Sequence, residues 1–440
     1  MQGLGLTKYQ RREPISKKIV SSYQHQSGFR IDVLPRDGFS QKYLSLVIPY
    51  GSAYTRFIDP RSNEEVELPL GTINLLAAII FTYSAEGTLA SELEKIGIVP
   101  KLDVGHSSII FEMSTVDFLP NAAELILEKF REFELTEEVI AAVKSRVLRK
   151  VSALKSRSDY FIEKEIRSAI YKAPEIFTPV LGTKASVKAI TLEDLQLCLD
   201  NLFSPHNISF VLAGEFDEDF VVNRMARQMS EFDDRAEESK IKRTELERED
   251  IVRKKIVSWD RPNSAFAIVY RFDSTYKPYS RGGKDNLKLN MEANIVMDML
   301  IGPFTEAFED IRGTGLLGDK INYQLNVDDD IAFLEMSGNS INPELTVDVI
   351  TEKLESLISD GYYDAEIFDM SWNATVGHFI REVDSISEYG HAASLARINN
   401  IDFVDYSTIF KEVKSKESAV LESLNFIRAE NRAVLICNSK

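Results

Sequence analysis

The chain repeats one order of predicted elements at a nearly constant spacing, and this repeat limits its possible folds more than any other feature. The strand that leads into Ser52 resembles the strand that leads into Ser274, at an offset of 222 residues. The strand that follows Asn207 resembles the strand that follows Asn431, at an offset of 224 residues. Two separate matches at almost one offset predict a duplicated structural unit of about that size.

Each predicted unit contains both strands and helices. Period-two alternation predicts strands in the first unit, and longer apolar periodicity predicts helices. The strands are expected at residues 29–34, 43–48, 109–113 and 208–213, and the helices at residues 68–83, 90–96, 122–133, 137–154 and 192–202. The first two strands are close in sequence, so we expect them to form an antiparallel pair. The predicted fold class is α+β, with two homologous α/β sandwich halves, each an antiparallel sheet covered by helices.

The boundary between the halves is predicted from composition. Residues 231–255 are rich in charge and poor in aromatic side chains, which is typical of a linker. The length of 440 residues would also allow three domains, but the repeat favours two. We therefore expect an N-terminal half at residues 1–230 and a homologous C-terminal half at residues 251–440.

The charge balance restricts the partners of the chain. It has 52 Lys and Arg against 69 Asp and Glu, a formal charge of -17, which disfavours nucleic acid and anionic membrane surfaces. The strongly apolar run at residues 73–81 is too short to cross a bilayer, and the N-terminus lacks the apolar segment of a secretory signal. We expect a cytoplasmic protein without a disulfide framework, since Cys198 and Cys437 lie far apart.

Few residues of the chain suit catalysis or metal binding. Its five histidines are His25, His106, His206, His378 and His391. His106 could act as a base and Cys198 as a nucleophile. No partner motif accompanies Cys198, however, so we expect it to be a small core residue. His378 and Glu382 share a helical face with His391 nearby, yet no further ligands are specified, so solvated helix residues are the expected interpretation.

Three segments resemble one known family. They are residues 69–81 (PLGTINLLAAIIF), 181–183 (LGT) and 203–207 (FSPHN). They resemble the pitrilysin/insulinase zinc peptidases and their processing-peptidase relatives, and most of all the bacterial subunits of this length that occur as two-gene pairs. The resemblance covers nearly the whole chain, although the second half matches mainly by the order of its elements.

The resemblance also implies that the zinc site has been lost. In this family an inverted H-x-x-E-H helix supplies two histidine ligands and a general base, and a later glutamate completes the site. The corresponding positions here are Asn74 and Ala78 for the histidines, Ala77 for the base and Lys150 for the second glutamate. Because none of these side chains can replace its counterpart, the resemblance implies an inactive homologue that needs no metal cofactor.

A substrate-holding Arg and Tyr in the second half of the family also lack clear counterparts. Laying Gly315 and Leu316 on the family's R-x-x-x-G-L-x-Y pattern places Ile311 at the Arg and Gly318 at the Tyr. Arg312 is one residue out of register and is the candidate substrate-binding residue, able to pair with a peptide carbonyl or carboxylate. The alternative is an ordinary salt bridge, at the surface or between the halves.

The resemblance implies a non-catalytic subunit of a heterodimeric zinc metallopeptidase. Such a subunit would help to enclose and position a peptide for a catalytically intact homologous partner. The alternative is a structural or scaffold protein that keeps the peptidase fold without binding peptide.

Overall fold

The fold is given by a computed structural model. It describes residues 4–14, 17–59, 62–154, 156–232, 251–272, 283–318, 321–328, 331–415 and 417–440. Residues 233–250, the middle of the predicted linker, lie outside the described residues, as does Ser274 of the repeat match.

Strands and helices alternate along both parts of the chain. The strands are β1 (Leu6–Arg12), β2 (Ile19–His25), β3 (Arg30–Pro35), β4 (Lys42–Ile48), β5 (Arg56–Ile58), β6 (Glu65–Glu67), β7 (Lys101–Val104), β8 (Ile109–Thr115), β9 (Ser209–Gly214), β10 (Lys254–Trp259), β11 (Ala265–Arg271), β12 (Asn322–Asp328), β13 (Ile331–Asn339) and β14 (Arg432–Ser439). The helices are α1 (Thr72–Thr82), α2 (Leu89–Lys95), α3 (Leu119–Arg131), α4 (Glu137–Leu154), α5 (Ser158–Arg167), α6 (Pro174–Phe177), α7 (Lys184–Ala189), α8 (Leu192–Leu202), α9 (Glu218–Met229), α10 (Gly283–Ile301), α11 (Glu306–Gly313), α12 (Pro343–Ser359), α13 (Ala365–Glu382), α14 (Ile386–Ile398) and α15 (Phe403–Ser415).

The chain forms two compact units that do not follow sequence order. Unit 1 contains Met1–Lys155, Thr178–Thr244 and Arg381–Ser407, and unit 2 contains Ser156–Phe177, Glu245–Ile380 and Thr408–Lys440. Each unit therefore includes a helical segment from the opposite part of the sequence, α14 in unit 1 and α5 in unit 2. The predicted halves at residues 1–230 and 251–440 do not account for this exchange of helices. It depends on packing between residues that are distant in sequence.

The sheets of the two units share one strand order. In unit 1 the order is β1-β2-β3-β9-β4-β8-β7, and in unit 2 it is β10-β14-β11-β13-β12. The pairs β3–β9 and β10–β14 are parallel, and the other pairs in these two sheets are antiparallel. Unit 1 thus repeats the five-stranded pattern of unit 2 and adds the β1–β2 hairpin at one edge. The predicted α+β class with two homologous halves is confirmed.

The predicted antiparallel pair of the first two strands is wrong. These strands are β3 and β4, and β9 lies between them, with Leu212 opposite both Val33 and Leu44. The burial of residues 210–214 in β9 explains this position, because such a strand belongs in the centre of a sheet rather than at its edge.

Each sheet carries helices on both faces. In unit 1 Leu44 and Leu46 point into a large apolar core with α1, α3, α4, α8 and α9, whereas Tyr43 and Ser45 point to the opposite face. There the hydroxyl of Ser394 on α14 is hydrogen-bonded to the hydroxyl of Tyr43 at 3.2 Å and to that of Ser45 at 2.7 Å. Strand alternation thus assigns one face to the main core and the other to the exchanged helix.

A buried ion pair fixes the position of α14 on unit 1. Nε of Arg397 lies 2.8 Å from Oδ2 of Asp32, and both side chains are buried. A second guanidinium nitrogen of Arg397 donates to Asp402, which also binds Arg30. Because every buried charge in this cluster has a partner of opposite sign, the cluster favours one position of the helix on the sheet.

Candidate functional site

Two glycines determine where α1 begins. Gly71 and Gly182 have φ angles of 93° and 76°, which side chains rarely adopt. A Cβ atom on Gly71 would lie 2.6 Å from the carbonyl oxygen of Leu181, and one on Gly182 would lie 2.4 Å from that of Leu70. Both glycines of the PLG and LGT segments are therefore needed for the close approach of the two backbones at the start of α1.

Helix α4 holds the other end of α1. The Arg146 guanidinium donates to the hydroxyl of Thr82 at 3.0 Å and to its carbonyl oxygen at 3.4 Å. A cation at the C-terminus of a helix is favoured by the helix dipole. The buried face of α4 is formed by Val143, Val147 and Val151 at a spacing of four residues, and α4 packs against α1 through this apolar stripe.

The four positions that the family resemblance singles out lie on these two helices. Asn74, Ala77 and Ala78 are on α1, and Lys150 is on α4. Asn74 is 9% exposed, Ala77 is fully buried, Ala78 is partly buried and Lys150 is exposed. These side chains provide an amide, two methyl groups and an ammonium group, which do not fit the nitrogen, sulfur and carboxylate ligands that zinc takes in proteins.

The remaining metal-binding candidates do not come together either. Within the residues that the structure describes, no group of three or more His, Cys, Asp or Glu side chains could hold a metal ion. His378 is exposed on α13, whereas Nδ1 of His391 lies 2.8 Å from Glu112. Ser52 Oγ lies 3.3 Å from Nδ1 of His106 in the turn between β7 and β8.

Cys198 has the predicted character of a core residue. It lies on α8, is fully buried and belongs to the apolar core of unit 1. Burial raises the pKa of its thiol far above the ordinary range, which disfavours the nucleophilic thiolate.

Arg312 lies near the end of α11, and its side chain is 70% exposed. Its guanidinium is 3.7 Å from the carboxylate of Glu309, one helical turn earlier, while the neighbouring Ile311 is buried. The structure thus shows a surface ion pair at Arg312, which leaves the guanidinium accessible to solvent. Its role in binding substrate stays a prediction.

A polar cluster on β8 was missed by motif reasoning. Glu112 accepts hydrogen bonds from Tyr43 at 2.8 Å and Lys101 at 2.9 Å, and Nδ1 of His391 lies 2.8 Å from it. Burial disfavours the ionised form of Glu112, but the hydrogen bonds from His391, Lys101 and Tyr43 outweigh it and lower the pKa to about 2. The hydrogen bond to Glu112 raises the pKa of His391 above 6.5, although burial opposes this shift.

A related pair lies on β13 of unit 2. There Glu335 is 3.5 Å from Nε of Arg167, a residue of the exchanged helix α5. The sequence held a signal for this relation, because residues 112–114 and 335–337 both read Glu-Met-Ser at an offset of 223, close to the offsets of the repeat. In each unit, a strand glutamate thus faces a cationic or titratable residue of the exchanged helix.

Comparisons with known proteins agree with this fold. Residues 189–373 match a family model described as the Peptidase M16 inactive domain. The "Uncharacterized zinc protease YmfH" of Bacillus subtilis is 19% identical over 391 residues, 88% of this chain and 89% of that protein. The "Non-peptidase homolog YmxG" of Helicobacter pylori is 24% identical over 171 residues, 36% of this chain and 37% of that protein.

Solved structures show the same architecture. An M16-like peptidase from Alicyclobacillus acidocaldarius superposes with a TM-score of 0.86 at 18% identity, over 96% of this chain and 98% of that one. Pitrilysin gives 0.74 at 14% identity over 99% of this chain, which spans 46% of pitrilysin. A chain of Complex III2 from Candida albicans gives 0.66 at 12% identity, over 94% of this chain and 95% of that one.

No helix among the described residues is long and apolar enough to cross a membrane. The family that the sequence resembles is confirmed by the match to the M16 inactive domain and by the shared fold. The chain therefore resembles M16-like zinc proteases, has the fold of solved M16-like and pitrilysin structures, and matches the Peptidase M16 inactive domain at residues 189–373.

Proposed function

We propose that the chain is the non-catalytic subunit of a heterodimeric zinc metallopeptidase and helps to enclose and position a peptide for an intact homologous partner. The observation that carries this proposal is the set of side chains on α1 and α4. By the family resemblance, Asn74, Ala77, Ala78 and Lys150 correspond to two histidines and two glutamates, and their side chains contain no imidazole or carboxylate.

The names of two matches support a non-catalytic role. The matched domain is described as inactive, and the Helicobacter pylori relative as a non-peptidase homologue. The Bacillus subtilis relative is named a zinc protease, so loss of activity is proposed here from the residues of this chain rather than from its relatives. Peptide binding needs no metal, since an extended segment can pair with a sheet edge through backbone hydrogen bonds.

A second candidate is a scaffold protein that keeps the fold without binding peptide. The likeness to a chain of Complex III2 favours it, because that chain is part of a multi-subunit assembly. The two candidates differ in one measurable property, the affinity of the purified heterodimer for peptides when the partner's catalytic glutamate has been replaced by glutamine. A peptide affinity that drops when this chain is removed supports the first candidate, and an unchanged affinity supports the second.

The proposal predicts that zinc binding can be restored on α1 and α4. We expect the triple variant Asn74→His, Ala78→His and Lys150→Glu to bind about one zinc ion per chain, because it recreates two imidazoles and one carboxylate at the proposed positions. The variant leaves Ala77 unchanged, since a glutamate at this fully buried position would place a charge in the core. Zinc content after dialysis and the thermal shift on adding zinc are the measurements.

A matched control is Asn74→His with Ala78→His and Lys150→Gln, which lacks the carboxylate ligand and should bind zinc about tenfold to a hundredfold more weakly. If the folded triple variant binds no more zinc than the natural chain, the assignment of these positions is wrong.

A further inference from the structure

The two related glutamates differ in how well they are neutralised. In unit 1, Glu112 is satisfied within the chain by Lys101, Tyr43 and His391. Lys101 lies directly opposite Glu112 in the pairing of β7 with β8. The ammonium group of Lys101 is 2.9 Å from the Glu112 carboxylate.

Unit 2 lacks two of these partners. The residue opposite Glu335 in the pairing of β12 with β13 is Gln324, so an uncharged amide takes the place of Lys101. By the registers of β4 with β8 and of β11 with β13, Ala267 stands at the place of Tyr43. Glu335 therefore has neither the ammonium group nor the phenol hydroxyl that bind Glu112.

The remaining partner of Glu335 is also incompletely satisfied. Arg167 is only 8% exposed, and its Nε, 3.5 Å from Glu335, makes no hydrogen bond. Nη1 of the same guanidinium lies 2.5 Å from Glu163. A buried N–H group without a hydrogen-bond acceptor is costly, and its ion pair with Glu335 at 3.5 Å offsets that cost only in part. Arg167 and Glu335 both line a neighbouring space.

That space is a cavity of about 480 Å³ between α5 and the polar face of β12 and β13. Its charged lining consists of Asp159, Glu163, Glu335, Arg167 and Arg261, and Asp159 is also paired with Arg157. Amide and hydroxyl groups of Asn263, Asn322, Gln324, Ser337 and Asn339 also line it, beside the apolar side chains of Ile162 and Trp259. Unit 2 thus has an open, polar cavity at the position where unit 1 supplies its own lysine.

We propose that this cavity binds a primary ammonium group of a peptide, which pairs with Glu335 as Lys101 pairs with Glu112. The identification of the ligand as a peptide rests on the proposed function. The ammonium group comes either from a lysine side chain or from the N-terminus. Burial and the charge of Glu163 raise the pKa of Glu335, which means that they disfavour its ionised form. A bound cation would stabilise this ionised carboxylate.

The test uses the full chain without a catalytic partner, by titration calorimetry with three small probes. Nα-acetyl-lysine amide offers only a side-chain ammonium group, alanyl-alanine amide offers only an N-terminal one, and Nα-acetyl-norleucine amide offers none. We expect one of the two cationic probes to bind and the norleucine probe not to bind. Binding of neither cationic probe, or equal binding of the norleucine probe, overturns the proposal.

Three variants locate the binding. Glu335→Gln should weaken the binding of the cationic probe by about tenfold or more, because it removes a charge-assisted contact. Gln324→Lys should abolish binding and raise the melting temperature, because it supplies the ammonium group from within the chain, as in unit 1. Glu352→Gln, at an exposed position on α12, makes the same charge change as Glu335→Gln and should leave affinity unchanged.

If the cationic probe binds equally to all three variants, the cavity is not its site. Because no partner is present, this failure would leave the heterodimer proposal standing. Conversely, a chain that binds the probe but never associates with an intact peptidase would retain the cavity and contradict the proposed function.

Discussion

At the scale of single residues, sequence alone predicts which side chains are missing but not which distant side chains meet. The proposal that Asn74, Ala77, Ala78 and Lys150 replace the zinc-site residues rests on the flanking residues of α1 and α4, which resemble one family. The pairing of Glu112 with His391 could not be assigned in this way, because 279 positions separate them and neither belongs to a recognisable motif. Their contact depends on the packing of α14 against β8.

The Glu112–His391 pair predicts a pH-dependent contribution to the stability of unit 1. The folded-state pKa of His391 is raised, so its contribution is complete below the unfolded value of about 6.5 and is lost as pH rises through the folded-state pKa. Glu112 remains ionised in the folded protein down to a pKa of about 2, so it does not limit the effect between pH 5 and 6. We expect His391→Gln to reduce the free energy of unfolding by about 1 kcal/mol at pH 5.5, a modest amount because His391 is partly exposed to solvent. The reduction should be smaller at pH 8.5, where the imidazole is less protonated.

Urea unfolding of the natural chain and the variant across this pH range measures the difference. In a Glu112→Gln background, His391→Gln should have little further effect at pH 5.5, because its partner is no longer charged. A constant difference between the natural chain and His391→Gln at all pH values would show that this pair is not the titrating element.

At the scale of elements, local periodicity predicts helices well and strand pairing poorly. Helices α4 and α8 begin and end where their apolar periodicity predicts. The β3–β4 pair was predicted wrongly because the inserted strand β9 comes from about 170 residues later in the chain. Likewise, the overlay at an offset of 222 pairs Tyr43 with Ala265, whereas the sheet registers place Ala267 there.

The exchanged helix of unit 1 crosses its sheet at a close contact between a glycine and a tyrosine ring. In unit 1 the large Tyr43 on β4 lies against Gly390 of α14, and a Cβ atom on this glycine would be 2.0 Å from the tyrosine ring. In unit 2 the small Ala267 on β11 and the larger Ile166 of α5 share one buried core. The close contact in unit 1 leaves no space for an added methyl group at Gly390.

This packing predicts that Gly390→Ala destabilises unit 1. The added methyl group overlaps the ring of Tyr43, and overpacking of this kind costs about 1–3 kcal/mol. Gly377→Ala is the matched control, because its Cβ would meet no atom within 4 Å inside helix α13, and it should be neutral or stabilising by up to about 1 kcal/mol. Thermal and urea unfolding of both variants provide the measurement.

In a Tyr43→Ala background, Gly390→Ala should cost much less than in the natural chain, since the ring has been removed. An equal cost in both backgrounds would mean that the glycine is needed for a reason other than Tyr43.

At the scale of the whole molecule, the repeat predicts two related units, and both sheets have the related strand order. The exchange of α5 and α14 between the units could not be predicted, because it requires knowledge of contacts between distant segments. Because the two units are related, their equivalent glutamates can be compared. Glu112 has its partners within unit 1, whereas Glu335 in unit 2 lines an open cavity. Differences between equivalent positions thus point to function more clearly than either unit alone.

The central claim is that this chain performs no zinc-dependent peptide hydrolysis by itself, and one measurement tests it directly. The purified chain is assayed for zinc by elemental analysis and for cleavage of a quenched peptide library, alone and with an intact homologue from the same cell. We predict no stoichiometric zinc and no cleavage by the chain alone, together with faster cleavage by the mixture than by the homologue alone. Stoichiometric zinc and peptide cleavage by the chain alone would contradict the account.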